Sequence, residues 1–388
     1  MLNVILLGLV SFFADISSEM VYPLIPLYLS SRFGATPLLV GFIEGIAESL
    51  ASLLKVFSGY LTDRTQKKKP IAFLGYSTGL IYKLALIFAN SWIAILGARV
   101  IDRVGKGIRT TPRDVMVAES AQKDRTGTAF GVHKAMDMAG SALGILIAYF
   151  LVKNSLENTN YPFIFLISMI PAGLSLVMFF FIKEQKHHQI KKREPFWKHF
   201  KTLPKSLKWY LLVVFLFTLG NSSNTFLLLK AKNIGFSEAN VIFLYFLYNI
   251  SASLLAIPAG RRSDQIGRKP VLIAAYVVFA LVYFGFAVVN RSEVMVGLFI
   301  LYGVYTALIT GVERAYISEI APQEFRGTLL GLHGTIIGLT LFPASMIAGV
   351  LWTMIDASAP FIFGGSLALA AALTLGFVMK DNRKEGSV

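Results

Sequence analysis

The chain has no cysteine and only five histidines among its 388 residues. Disulfides, thiol catalysis and zinc–thiolate sites are therefore excluded. Two of the histidines, His187 and His188, lie in a lysine-rich polar stretch that reads as a solvated loop rather than a metal site. No metal and no cofactor is expected. Acidic residues are also few, 22 against 37 basic ones, which leaves a formal net charge of +15. There is no basic leader ahead of the first apolar run, and that run exceeds the length of a signal-peptide core. It is read as a retained first span, not a cleaved signal.

Long polar stretches are nearly absent: 55% of the residues are hydrophobic and mean hydropathy is +0.63. Such a composition belongs to an integral membrane protein, not a soluble enzyme. A spanning helix needs about 20 mostly apolar residues. Twelve segments qualify, at 3–30, 37–61, 71–89, 93–117, 127–152, 163–183, 209–231, 240–261, 271–290, 294–319, 327–352 and 360–380. The single long polar segment, 184–208, divides them six and six. The expected organisation is an N-terminal bundle over 1–183, a basic linker over 184–208 and a C-terminal bundle over 209–388. In the linker, Phe196, Phe200, Leu203 and Leu207 recur at helical spacing among lysines, the pattern of a short amphipathic helix on anionic lipid.

With both termini in the cytoplasm, the cytoplasmic loops and tail carry 23 Lys and Arg and the outer loops carry five. That asymmetry is the positive-inside bias. The expected location is the bacterial inner (plasma) membrane, spanned many times, with both termini cytoplasmic. Topology accounts for the excess of positive charge, so no nucleic-acid partner is expected.

The two halves repeat each other. "ESLASLLKVFSGYLTDR" (48–64) aligns on "NISASLLAIPAGRRSDQ" (249–265) at an offset of 201 residues, and His133 matches His333 at an offset of 200. A six-helix repeat with a binding site between its copies is a transporter design. Within the repeat, Gly59, Asp63 and Arg64 match Gly260, Asp264 and, in the turn that follows, Arg268. The glycine permits close helix packing. The aspartate can sit against the positive N-terminus of a neighbouring helix, a contact of about 0.3–1 kcal/mol, and so bias one conformer over another.

These turns resemble the Gly-x-x-x-Asp-Arg-x-x-Arg/Lys signature of the major facilitator superfamily, and the resemblance covers essentially the whole chain. "DRVGKGIRTTPRD" followed by "FGVHKAMDMAGSALG" resembles a prokaryotic branch of that superfamily, some members of which are linked to siderophore export or iron handling. The resemblance implies an all-α membrane fold of two six-helix bundles and a secondary transporter that rocks between two openings. Gly131, Gly140 and Gly144 partly match the superfamily's antiporter motif, although Ile145 stands in place of its proline. Glycine for close helix packing explains them equally well.

The stretch "RVIDRVGKGIRTTPRD" (99–114) interrupts the apolar pattern. At about 100° per residue its seven charges fall within an arc of about 140°, with Val100, Ile101, Val104 and Ile108 opposite. It is therefore read as a membrane helix with one charged wall, about 22 Å long at 1.5 Å per residue. Pro112 removes a backbone donor near its end. Charges inside a bilayer are costly and face a bundle interior or a watery cavity. Partners are present: Asp15 and Glu19 in the first span, Glu44 and Glu48 in the second, and His133, Lys134 and Asp137 in the fifth. The second half keeps polar residues at matching positions but mostly without charge, as Asn221, Asn224, Tyr245, Tyr248, Asn249, Tyr302 and Tyr305.

Two roles are open for these charges. In one, the acids only neutralise the basic wall. In the other, some carboxyls carry protons while basic groups bind an anionic group or compete for the freed carboxylate. A carboxyl group out of water holds its proton, and a nearby cation loosens it. The proton-coupling candidates are Asp15, Glu19, Glu48 and His133. The substrate or charge-relay candidates are Arg99, Arg103, Lys106, Asn221, Asn224, Tyr248 and Asn249. The expected function is proton-driven antiport that exports a small organic solute, by a monomer whose other partners are protons and the lipid bilayer. The alternatives are proton-coupled uptake of an organic anion and a siderophore- or iron-related permease. A membrane-embedded enzyme would need a reactive constellation at one membrane face, and a transport-dead sensor would need an added signalling domain. The sequence carries neither.

Overall fold

A computed structural model of the chain describes residues 2–65, 67–121, 126–155, 159–184, 203–310, 312–321 and 326–378. Among the described residues there are fifteen α-helices, and they assemble into twelve runs. The first run is broken: α1 (Leu2–Val21) gives way to α2 (Leu24–Phe33) at Tyr22-Pro23, where proline removes a backbone donor. Then come α3 (Pro37–Thr65), α4 (Lys68–Ile87), α5 (Trp92–Ser120), α6 (Thr126–Lys153) and α7 (Tyr161–Phe180). The second half starts with another broken run, α8 (Lys205–Gly220) and α9 (Thr225–Asn233), separated by Asn221-Ser-Ser-Asn224. Short polar side chains there compete with the helix for backbone groups. It continues with α10 (Glu238–Ile266), α11 (Arg268–Val288), α12 (Ser292–Ile309) with α13 (Val312–Ile320), α14 (Arg326–Met354) and α15 (Ala359–Val378).

Eleven of the described runs are long and apolar enough to cross a membrane. The charged run is also a helix. Ser91 caps its start by accepting from the Ala94 amide at 3.3 Å, and α5 continues through Pro112 to Ser120. The twelve runs follow the twelve expected spans closely. The seventh starts earlier than the sequence pattern gives: α8 begins at Lys205, inside the expected linker. Phe196 and Phe200 lie outside the described residues. Leu203 and Leu207 are buried in the main core cluster instead of facing lipid.

Glycines set how the helices meet. A β-carbon at Gly140 or Gly144 of α6 would strike the α1 backbone at Phe12 or Ile16. Gly75 of α4 and Gly105 of α5 bring those two backbones together in the same way. Between the halves, Gly41 and Gly45 of α3 lie on Ser345 and Phe342 of α14, and the Ser49 hydroxyl donates to the Gly338 carbonyl.

Both chain ends lie at one end of the bundle, where Asn3 donates to the Lys183 carbonyl at 2.6 Å. Here an ion pair repeats between the halves. Lys68 pairs with Glu119, and 200 residues later Arg268 pairs with Glu319 at 2.8 Å. Each ties the start of the third run of its half to the end of the fourth. The first-turn amides of α4 donate to the Glu184 carboxylate, at 2.8 Å from Lys68 and 3.1 Å from Lys69. Glu184 thus holds the helix-N-terminal place expected for Asp63. The side chains of Asp63 and Arg64 lie outside the described residues. Asp264 is largely exposed and sits 3.7 Å from Arg268.

The opposite end of the bundle is where the halves close on each other. Thr159 donates to Glu238 at 2.7 Å, and Tyr149 meets Phe243 with ring centroids 5.4 Å apart. Phe42 meets Phe342 at 6.1 Å. Towards the chain ends, Gly131 and Lys134 on α6 and Leu254 on α10 are exposed. The halves are thus in contact at the far end, while α6 and α10 carry exposed residues towards the terminal end.

Candidate functional site

The charged wall of α5 meets α3 first. Arg99, 1% exposed, donates from both Nε (2.8 Å) and Nη2 (2.5 Å) to the two carboxylate oxygens of Glu44, which is equally buried. Arg103 reaches Glu48 at 3.1 Å, and Asp102 lies 3.5 Å from Arg99 and 3.2 Å from Arg103. Both guanidinium groups also face the Tyr22 ring, at 5.5 and 5.6 Å. Two arginines and three acids thus form one compact network between α3 and α5. A planar guanidinium matches a carboxylate edge to edge, which favours the two-point Arg99–Glu44 contact. Glu44, absent from the proton-coupling candidates, proves to be the principal partner of Arg99.

A second cluster surrounds α1. The carboxyl group of Asp15 faces that of Asp137 on α6 within hydrogen-bonding reach. Two carboxylates that close repel each other, and a proton on one of them would turn the repulsion into a hydrogen bond. Lys134 donates to Asp137 at 2.7 Å, and Arg113 stands 4.0 Å from it while pairing with Asp114 at 2.8 Å. His133 is bonded to the Ser11 hydroxyl at 2.9 Å, and that hydroxyl is 3.2 Å from the Tyr76 hydroxyl. This is a satisfied histidine holding α6 to α1. His333, its repeat partner, lies 3.2 Å from Glu313.

Glu19 is placed differently. It turns to the second half, where the Tyr245 hydroxyl donates to its carboxylate at 3.2 Å. Tyr245 is the first of a row of rings. Tyr22 and Tyr245 are 5.7 Å apart, Tyr245 and Tyr248 5.6 Å, Tyr248 and Tyr302 5.0 Å, and Tyr302 and Tyr305 5.3 Å. The amides that replace charge in this half support the row. Tyr302 donates to Asn224 at 2.7 Å, and Asn221 donates to the Tyr305 hydroxyl at 3.2 Å. Asn249 donates back to the Tyr245 carbonyl of its own helix at 2.9 Å.

Between α1 and the charged wall of α5, within the first half, there is a pocket of about 20 Å³, lined by Asp15, Glu19, Tyr22, Arg103, Lys106 and Arg109 among others. That is room for about one water molecule. Lys106 is exposed, and Arg109 stacks on the Tyr76 ring at 4.5 Å.

Of the expected site residues, the fold gathers Asp15, Glu19, Arg99, Arg103 and Lys106 at one pocket. It places Tyr248, Asn224 and Asn221 along the adjoining ring row. His133 stands apart from this pocket. Asp137, Tyr22 and Arg109 belong to the constellation but stood outside the proton-coupling and substrate candidates; Asp137 was expected only as a partner of the charged wall, and Arg109 only as part of it. A signal for Asp137 existed: with Gly140 and Gly144 it lies on one helix face, three and seven residues apart, and those glycines mark the face that meets α1.

A family model described as the Major Facilitator Superfamily matches residues 7–230 and 210–388 of the chain. An uncharacterised MFS-type transporter of Methanocaldococcus jannaschii is 38% identical over 382 residues, covering 97% of this chain and 94% of that protein. A multidrug resistance protein, MdtH of Photorhabdus laumondii, is 22% identical over 338 residues, 86% of this chain and 82% of that one. Among solved structures, the nucleoside transporter NupG superposes with a TM-score of 0.83 at 11% identity, covering 97% of this chain and all of that one, a likeness of fold.

Proposed function

The chain belongs to the Major Facilitator Superfamily, and from that premise we propose that it is a proton-coupled carrier of a small organic solute. It is a multi-pass membrane protein and a secondary transporter; the solute, the coupling ion and the direction are our reading. The observation that carries the reading is the Asp15–Asp137 carboxyl pair, whose Asp15 lines the pocket of the first half. A carboxyl pair that holds one proton in one conformer, and meets a different neighbourhood in the next, can load and release it. Glu19 links that pair's helix to the second half through Tyr245. With both termini in the cytoplasm of a plasma membrane, the contacts between the halves at the far end would close the outer side.

Two directions of coupling have support. Exchange of solute for protons, hence export, fits a neutral or cationic solute that competes with the proton at Asp15 and Glu19. The likeness to a protein named for multidrug resistance supports it. Of the glycines that first pointed to antiport, Gly140 and Gly144 serve the packing of α6 on α1, whereas a β-carbon at the exposed Gly131 would meet nothing. Co-transport fits an anionic solute, which is held better while the acids carry protons, and the exposed Lys106 supports that alternative.

The test is flux into proteoliposomes under an imposed pH gradient, with a panel of organic acids, siderophores and cationic drugs. Gradient-driven flux of at least one solute is expected. Asp15→Asn should abolish it while leaving exchange of labelled for unlabelled solute at zero gradient. Gradient-driven flux that survives Asp15→Asn would remove the carboxyl pair from the mechanism.

A further inference from the structure

The membrane charges of the first half do not all find partners. Arg99 and Arg103 are taken by Glu44, Glu48 and Asp102, Arg113 by Asp114, and Lys134 by Asp137. Asp15 faces Asp137, and Glu19 faces a phenol. Two cations on the pocket wall are left over. Among the described residues no carboxylate lies within ion-pair distance of Lys106 or Arg109. Arg109 has the Tyr76 ring as its neighbour, whereas Lys106 is exposed.

A cation inside a membrane span without a counter-charge is expensive to keep, and the cost is offset where the group lines a cavity that receives charge. Lys106 and Arg109 are three residues apart on α5, one turn, and both line the pocket of the first half, beside Asp15 and Glu19. An anionic group seated there would meet an ammonium and a guanidinium at once. The adjoining surface is the ring row from Tyr22 through Tyr245 and Tyr248 to Tyr302. Aromatic faces and edges pack best against a flat unsaturated body. A cationic solute would meet these same rings favourably, but it would lie beside two positive charges that no carboxylate contacts directly, although Asp15 and Glu19 line the same pocket.

We infer that Lys106, with Arg109 one turn away, is the anion-binding point of the solute site, and that the solute is a small organic anion with a planar, unsaturated body. The pocket is too small for such a body in the conformer described, so the anion docks first on the exposed Lys106 from the terminal end. Its ring enters as Tyr245 leaves Glu19. This inference rests on the carrier reading above and, if it holds, favours co-transport over exchange.

The experiment is thermal unfolding of the purified full chain in detergent, titrated with benzoate and phenyl phosphate as anionic probes. Benzamide and benzyltrimethylammonium serve as neutral and cationic counterparts. The anions should raise Tm saturably, and the neutral and cationic probes should not. Lys106→Gln should weaken the apparent Kd for the anions by about tenfold or more, the scale of a lost charged hydrogen bond. Lys106→Arg should stay within about threefold, because the charge is retained. Lys205→Gln, which removes an exposed cation at the start of α8 away from the pocket, should leave the Kd unchanged. Lys106→Glu should turn the preference towards benzyltrimethylammonium, a gain that an unfolded variant cannot mimic. The inference is overturned if no anion stabilises the wild type, if the neutral or cationic probe does so equally, or if Lys106→Gln binds like wild type. Anion binding at Lys106 together with gradient-independent flux would sink proton coupling and leave the site standing. Gradient-driven flux of a cation without anion binding would do the reverse.

Discussion

The Tyr245 hydroxyl donates to the Glu19 carboxylate at 3.2 Å, and this bond joins a membrane acid of the first half to the second half. Each partner is held from its own side: Asp15 lies one turn from Glu19 on α1, and Tyr245 stands in the ring row. A bond of this kind exists in the conformer sealed at the far end and is lost when the halves part there. It therefore biases the equilibrium between the two openings.

Tyr245→Phe keeps the ring and removes the donor. A hydrogen bond to a charged group is worth about 1.5–3 kcal/mol, so the sealed conformer should lose roughly tenfold or more in population. The chain has no cysteine, so a single introduced thiol reports without background. Ser18→Cys lines the pocket. Labelling by an impermeant thiol reagent from the far side should rise several-fold in the Tyr245→Phe background. Unchanged labelling from both sides would deny the bond any part in gating.

The Arg99–Glu44 pair is the most deeply buried ion pair described, with both side chains 1% exposed. Removing one partner strands the other charge, at a cost of about 3–5 kcal/mol. Arg99→Met and Glu44→Leu should each lower Tm by many degrees. Combined, they should recover most of the loss, because an apolar pair strands nothing. A double variant as unstable as the worse single one would mean that the pair does more than neutralise itself.

Asp137 should behave as the other half of Asp15. Asp137→Asn is expected to lose gradient-driven flux about as fully as Asp15→Asn does. The double variant should be no worse than either, since residues acting as a unit are non-additive. Independent, multiplying losses in flux would show two separate sites.

The repeated ion pairs at the terminal end differ in burial. Lys68 and Glu119 are 4% and 19% exposed, whereas Arg268 and Glu319 are both 29% exposed. Glu119→Gln should therefore destabilise by about 2–3 kcal/mol, and Glu319→Gln by about 1 kcal/mol or less. Thermal unfolding in detergent at low and high salt checks the order, with the Glu319 effect the more salt-sensitive.

Much of the site was legible in the sequence because helix periodicity is local. The spacing of Arg99, Asp102, Arg103, Lys106 and Arg109 fixes one charged wall on α5 whatever surrounds it. The Asp15 and Glu19 pair shares a face of α1 for the same reason. The turn residues repeated at offsets of 200 and 201 show that the chain folds as two related halves. Less legible was Leu203, whose spacing fits a lipid-facing helix but which packs into the core. Periodicity finds an apolar face without saying what covers it.

The sequence by itself determined the membrane class, the twelve runs, the two-fold repeat and the presence of more charge in the first half than a bilayer tolerates unpaired. Those properties follow from composition and from the fixed rise and turn of a helix. Only the tertiary structure decided which charges meet. An arc of about 140° on one helix admits partners from several neighbours, and the choice depends on the rotation and depth of each. Gly140 and Gly144 set these for α6 against α1, and so bring Asp137 to Asp15. The α3–α5 packing gives Glu44 to Arg99 and Glu48 to Arg103, and Lys106 and Arg109 are what remains without an acid.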